Sequence, residues 1–124
     1  MSPLPDHAVR FVPPAEYQVW WARTEVCVGR HSHPDDIAWY VVPGETDFET
    51  PHGPVVARWS RGTDGARIVI AGAFLGDEMV VRHEMLHAIL DRADHPPEVF
   101  VDRCHLTWRS WARWAPHRPS TPTP

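Results

Sequence analysis

The five residues from His83 to His87, His-Glu-Met-Leu-His, form the part of the chain best suited to chemistry. Histidines four residues apart return to the same face of a helix, so both imidazoles can bind one metal ion. Zinc accepts neutral imidazole, and a catalytic zinc keeps one coordination position for water. Glu84 follows the first ligand, where its carboxylate can take a proton from that water. The spacing predicts a Zn²⁺ site with His83 and His87 as ligands and Glu84 as general base.

The motif lies within a stretch, Asp77 to about Arg92, that carries helix signals. Asp77 can cap the helix, Glu78 complements the positive end of the helix dipole, and the residues from Met79 to Leu90 are apolar almost all round. Such a helix is buried, and unpaired histidine and glutamate side chains inside it would be costly. This context favours a metal site over a chance match in a chain with nine histidines.

A third metal ligand is expected just downstream of the helix. The side chains available there are Asp91, Asp94, His95, Glu98, Asp102 and His105. Asp91 lies one further helical turn along, too far up the axis for a third bond on the same face. Asp94 and His95 occupy the segment where the chain must turn back, and we expect His95 to be the ligand. Asp94 is the alternative ligand, or else it caps the next helix or supports a ligand from outside.

Several other elements are predicted around the metal helix. A backing helix from Ala15 to about Val28 follows two prolines and ends at Gly29. Three short runs of β-branched and aromatic residues predict strands at Ile37–Val42, Val55–Trp59 and Arg67–Ala71.

The C-terminal part of the chain predicts one tryptophan-rich helix from Val99 to about Trp114. Together the patterns indicate an α+β fold with a small sheet of about three strands, in a single domain spanning residues 13–115. Residues 1–12 are expected to form an irregular lead-in, and residues 116–124 a Pro-rich flexible tail.

The stretch HEMLHAIL, followed after a short gap by HPPEVF, resembles the active-site stretch of the SprT-like metallopeptidases and of the related WLM group, both zincins. The resemblance implies a minimal zincin-like domain that hydrolyses peptide bonds. It assigns His83 and His87 to the helix ligands, Glu84 to the general base and His95 to the third ligand. It also implies that the strand Ile68–Ala71 is the edge strand that lines the cleft.

The function expected from these observations is that of a zinc metalloendopeptidase acting on a peptide or protein substrate. Peptide hydrolysis also needs a donor that stabilises the tetrahedral intermediate, and His105 and Tyr40 are the candidates, each with a purely structural role as the alternative. Two other functions stay open: a zincin-fold binding or regulatory module with little activity, and a structural zinc domain. A structural site would need a fourth protein ligand, such as Glu98 or His105.

The two cysteines, Cys27 and Cys104, are expected to form a disulfide between the first and last helices. A disulfide favours an extracytoplasmic location, and two free thiols would favour the cytoplasm. Neither cysteine lies in a spacing typical of a Cys zinc site.

Charge and hydropathy exclude some classes of partner. The formal charge is −4, and the twelve basic residues, all arginine, form no dense cluster, which argues against nucleic acid. No apolar stretch reaches the roughly 20 residues that a membrane-spanning helix requires.

Overall fold

The computed structural model describes residues 3–115 and has the α+β architecture that the sequence predicted. Its α-helices are α1 (Glu16–Val28), α2 (Glu78–Leu90) and α3 (Trp108–Trp114). A π-helical segment, Glu98–Arg103, precedes α3, and two short 3₁₀ turns lie at Pro34–Asp36 and Gly72–Phe74. The strands are β1 (Val9–Arg10), β2 (Ile37–Val42), β3 (Phe48–Thr50), β4 (Gly53–Val55), β5 (Ala57–Gly62) and β6 (Gly65–Ala71).

The main sheet has four strands in the order β1-β2-β6-β5. Strand β6 pairs in parallel with β2 and in antiparallel with β5, and β1 pairs in antiparallel with β2. Strands β3 and β4 form a separate antiparallel hairpin. The sheet therefore has β5 at one edge, next to the helix that carries the histidine motif.

Strand alternation divides the sheet into two faces. Ile68 and Ile70 of β6 face α1 and α2 in the main core and are fully buried. Val69 between them faces the other way, into a smaller cluster with Val42 and Phe48. Because successive side chains of a strand point to opposite faces, the helices and the hairpin cover different sides of the same sheet.

Two strand predictions need correction. The lead-in, expected to be irregular, contains β1, which pairs with the outer edge of β2. The run Val55–Trp59, expected to be one strand, is divided at Val56, so that β4 ends at Val55 and β5 begins at Ala57. The sequence signal is continuous across this break because both pieces are apolar, whereas their pairing partners differ.

Helix α2 has the start that the sequence predicted. The Asp77 carboxylate accepts a hydrogen bond from the Val80 backbone N–H at 3.0 Å. The helix ends at Leu90 because Asp91 takes a left-handed conformation with φ 55°, which turns the chain back toward the helix.

The predicted continuous C-terminal helix is wrong. The chain leaves the π-helical segment at Cys104, passes through His105 with φ 55°, and buries Leu106 completely before α3 begins. Thr107 and Ser110 then form a reciprocal capping box at the start of α3. The stripe of apolar residues looked continuous because both helical pieces face the same core.

The predicted disulfide is present, joining Cys27 near the end of α1 to Cys104 with a Cα–Cα distance of 5.4 Å. None of the helices within residues 3–115 has the length and apolar character needed to cross a membrane. The Pro-rich tail predicted for residues 116–124 lies outside the described residues.

Candidate metal centre

Three histidines bring their Nε2 atoms together beside the edge strand. The Nε2 atom of His87 lies 3.2 Å from that of His83 and 3.1 Å from that of His95, and the third side of the triangle is 3.2 Å. This is the set, His83, His87 and His95, that the sequence predicted as metal ligands. Within residues 3–115, no other group of three or more His, Cys, Asp or Glu side chains has this metal-binding arrangement.

The other ring nitrogen of two of these histidines donates to a backbone carbonyl. His83 Nδ1 donates to the Leu106 carbonyl at 2.5 Å, and His87 Nδ1 donates to the Arg92 carbonyl at 2.9 Å. A carbonyl can only accept, so each Nδ1 carries the proton and each neutral ring presents a lone pair at Nε2. Backbone contacts therefore fix the tautomer that binds a metal.

The neutral form of these rings is favoured by burial. Desolvation lowers the pKa of His83 below its ordinary value and lowers the pKa of His87 to about 4. Two neutral rings with lone pairs 3.2 Å apart repel each other. A cation between them would turn that repulsion into attraction, so the three-histidine cluster could hold a metal ion.

The dimensions of the triangle fit a zinc ion. Zinc bound tetrahedrally at about 2.0 to 2.1 Å from each nitrogen would hold the nitrogens about 3.3 Å apart. The observed separations of 3.1 to 3.2 Å are close to that value. Three ligands on one side of the ion leave the opposite side open.

His95 reaches the centre because of the turn that follows α2. Asp91, in the left-handed conformation, reverses the chain, and its carboxylate accepts a hydrogen bond from Arg61 on β5. Asp94, the alternative ligand predicted from sequence, instead receives two hydrogen bonds from Arg92. The Arg92 guanidinium also holds the pKa of the Asp94 carboxyl below its usual range. Asp94 thus stabilises the turn and is not among the three convergent ligands.

Glu84 is buried between α2 and β5. The backbone N–H of Trp59 donates to its carboxylate, and the positive charge of Arg58 also favours the ionised form. Desolvation outweighs both effects and raises the pKa of Glu84 to about 8. The Glu84 carboxyl is therefore shielded from bulk water and lies beside the three histidines, and its burial favours the protonated form.

The ring of Phe100 packs against all three histidine rings, a contact that the sequence did not predict. Its fully buried ring has centroid distances of 5.0, 4.8 and 5.1 Å to the rings of His83, His87 and His95. Trp59 adds a second contact, because its indole stacks on His87 with an interplanar angle of 13°. The sequence placed Phe100 only on an apolar stripe, and no local signal links it to the histidines.

The free edge of the sheet is β5, which corrects the expectation that Ile68–Ala71 is the edge strand. The Val56 carbonyl accepts from the Ala71 N–H at 2.9 Å, so the backbone of Val56 faces β6. Backbone direction alternates along an antiparallel strand, so the N–H and C=O groups of Ala57, Trp59 and Arg61 point away from β6. The bond from the Trp59 N–H to Glu84 agrees with that alternation.

An open cleft of about 920 Å³ runs between this edge and the metal centre. It is lined by Glu84, the three histidines, the outer part of β5 and the tip of the β3–β4 hairpin.

The two candidates for stabilising the intermediate lie elsewhere. Tyr40 belongs to the sheet face opposite α2, with the Arg10 guanidinium 5.7 Å from its ring centroid. His105 stacks on Trp114 at 5.3 Å and lines a groove beside the disulfide. Strand alternation explains the position of Tyr40, and the break before α3 explains that of His105.

No family model, curated protein or solved structure matches the chain.

Proposed function

We propose that the protein is a zinc-dependent peptidase in which His83, His87 and His95 hold the metal and Glu84 is the general base. The observation that carries the proposal is the convergence of three Nε2 atoms beside a buried carboxyl group, in a cleft bordered by a free strand edge. The resemblance of the His83–Phe100 stretch to the SprT-like and WLM peptidases supports the same assignment.

Zinc is the metal proposed, because imidazole nitrogens suit it and the spacing of the three nitrogens agrees with tetrahedral coordination. When bound, zinc supplies Lewis-acid polarisation of the scissile carbonyl and lowers the pKa of the attacking water.

The protein side chains perform the proton transfers. Glu84 accepts the proton of the attacking water on a carboxylate oxygen and later delivers it to the amine of the leaving peptide. A cation held by the adjacent histidines would lower the pKa of Glu84 from its desolvated value and so favour the ionised base.

The substrate proposed is an extended peptide segment. The outward N–H and C=O groups of Ala57 and Arg61 offer backbone hydrogen bonds to such a segment along the free edge of β5. This contact recognises the peptide backbone and places one of its carbonyls over the metal centre.

A structural zinc site is the less favoured alternative. Among the described residues the convergent group contains three ligands, and neither Glu98 nor His105 belongs to it. A structural site would need a fourth ligand to close the coordination. The disulfide leads us to propose an extracytoplasmic, oxidising location for the activity.

The test combines metal analysis with cleavage of casein, an unstructured protein. We expect one zinc per chain in the wild type and in Glu84→Gln, with casein cleavage lost only in Glu84→Gln. Glu49→Gln is the matched control, since it removes an exposed carboxylate on the hairpin and should leave both properties unchanged. A protein that takes up no zinc after reconstitution would contradict the metal site, and zinc uptake with no cleavage would favour the binding module.

A further inference from the structure

A second, smaller hollow adjoins the metal centre on the side away from Arg61. It has a volume of about 410 Å³ and shares His83 and Glu84 with the main cleft. Its remaining lining is mostly apolar, with contributions from Pro54, Val56, Met79, Val80 and Trp108. An apolar cavity thus opens directly onto the proposed reacting centre.

Trp108 forms the outer wall of this hollow and is 59% exposed. Its ring meets Phe74 edge-on with centroids 6.0 Å apart, which holds the indole at the rim of the hollow while leaving much of it uncovered. Burying the apolar surface of a large indole is favourable, so an indole that stays exposed at the mouth of a cavity commonly marks a ligand-binding surface.

The two ends of the cleft differ in chemistry. The main cleft contains Arg61, Arg92, Asp91 and His52 beside the histidines, and Arg61 is paired with Asp91. Among the described residues, Asp47 is the one charged side chain that lines the smaller hollow besides the site residues shared with the main cleft. A peptide lying along β5 therefore meets a polar surface on one side of the metal and an apolar one on the other.

We infer that the apolar hollow is a specificity pocket, which binds a bulky apolar side chain of the substrate residue directly flanking the cleaved bond. This inference rests on the proposed peptidase function. A strand advances about 3.3 Å per residue, so a cavity bordered by both His83 and Glu84 lies within reach of the residue next to the reacting carbonyl. Trp108 is the residue that determines the preference, since its indole supplies the uncovered wall.

The magnitude follows from burial of apolar surface. Burying a leucine or phenylalanine side chain changes an equilibrium or a rate by tenfold or more. We expect the wild type to cleave peptides with leucine or phenylalanine at the flanking position at least about tenfold more efficiently, in kcat/KM, than peptides with serine there. Trp108→Ala should lose most of that preference, and Trp108→Phe should retain part of it.

The experiment uses the zinc-loaded full chain and a set of peptides that differ only at the two positions flanking one cleaved bond, with products identified by mass spectrometry. Val26→Ala is the control, because Val26 is a highly exposed apolar residue on α1 far from the cleft lining. Equal cleavage of the leucine and serine peptides by the wild type, or an unchanged preference in Trp108→Ala, would contradict the specificity pocket. Neither result would contradict the proposed peptidase function.

A binding measurement keeps the pocket testable if turnover is absent. Zinc-loaded Glu84→Gln should bind the leucine peptide about tenfold more tightly than the serine peptide, and the additional Trp108→Ala change should abolish the difference. No cleavage of any peptide by the wild type, together with this binding difference, would reject the peptidase and support the pocket. Equal binding of the two peptides would reject the pocket.

Discussion

Removal of the disulfide should cost the protein much of its stability. Cys27 and Cys104 are 77 residues apart in sequence, so the bridge closes a loop that contains strands β2 to β6 and the metal helix. The chain-entropy relation for a loop of this length gives about 4.5 kcal/mol of stabilisation, through restriction of the unfolded chain. Because domains of this size have a free energy of unfolding of about 5 to 15 kcal/mol, we expect the reduced protein to be close to its folding limit.

The assay is equilibrium unfolding in urea, followed by tryptophan fluorescence and circular dichroism. The wild type is compared in its oxidised form and after reduction with a phosphine, and the double variant Cys27→Ala/Cys104→Ala is measured beside them. Reduction keeps both sulfur atoms, so it isolates the effect of the covalent link from the loss of packing at Cys104, which is buried. A chelator is present throughout, because a bound metal would add its own stabilisation.

Both the reduced wild type and the double variant should unfold at urea concentrations lower by about 1.5 to 4.5 M, for slopes typical of small domains. The double variant should be the less stable of the two because it also leaves a small cavity at Cys104. A difference below about 1 kcal/mol between oxidised and reduced wild type would refute the reasoning from loop length. Two titratable thiols in the unreduced, denatured protein would show that the bridge does not form.

Three further predictions concern the metal centre. His95→Ala should lower zinc affinity by at least tenfold, because a catalytic zinc needs three protein ligands. Competition with a chelating dye measures the affinity. The control is His31→Ala, in the exposed loop after α1, which should bind zinc normally. Phe100→Ala should lower the free energy of unfolding by about 3 to 5 kcal/mol and should also weaken zinc binding. Phe100→Leu should largely restore both properties. Normal zinc affinity in Phe100→Ala would show that Phe100 does not support the metal centre. Reduction of the disulfide should weaken zinc binding by about tenfold, measured under conditions where circular dichroism shows a folded chain. The reason is that the bridge anchors the segment whose Leu106 carbonyl fixes the tautomer of His83. Equal zinc affinity in both redox states would show that this anchor is dispensable.

Much of the metal helix could be predicted because its signals are local. The cap at Asp77, the apolar run and the four-residue histidine spacing all act within one or two helical turns, and each acts as predicted in α2. The strand Ile37–Val42 was predicted with its observed bounds, since β-branched and aromatic residues fill every position except Ala38. The disulfide followed from the presence of just two cysteines in a small domain.

The sequence could not supply the order of the strands or the break in the predicted C-terminal helix. Either β5 or β6 could have been the edge on local grounds, and only the pairing of β6 with both β2 and β5 makes it central. The break at His105 depends on burying Leu106 against elements far away in sequence. Periodicity describes which face of an element is apolar, and it does not describe where that face must change direction.

The sequence by itself determined the chemistry that is possible here, which is a set of nitrogen ligands and one carboxylate at the right spacing on a buried helix. Tertiary structure decided whether that chemistry has a site: it placed Phe100 under the three histidines, aligned the Leu106 and Arg92 carbonyls with their Nδ1 atoms, and left β5 open beside Glu84. The physical reason is the separation along the chain over which each feature is set. Spacing along a helix is set by local backbone geometry, whereas the convergence of groups from different elements is set by how those elements pack.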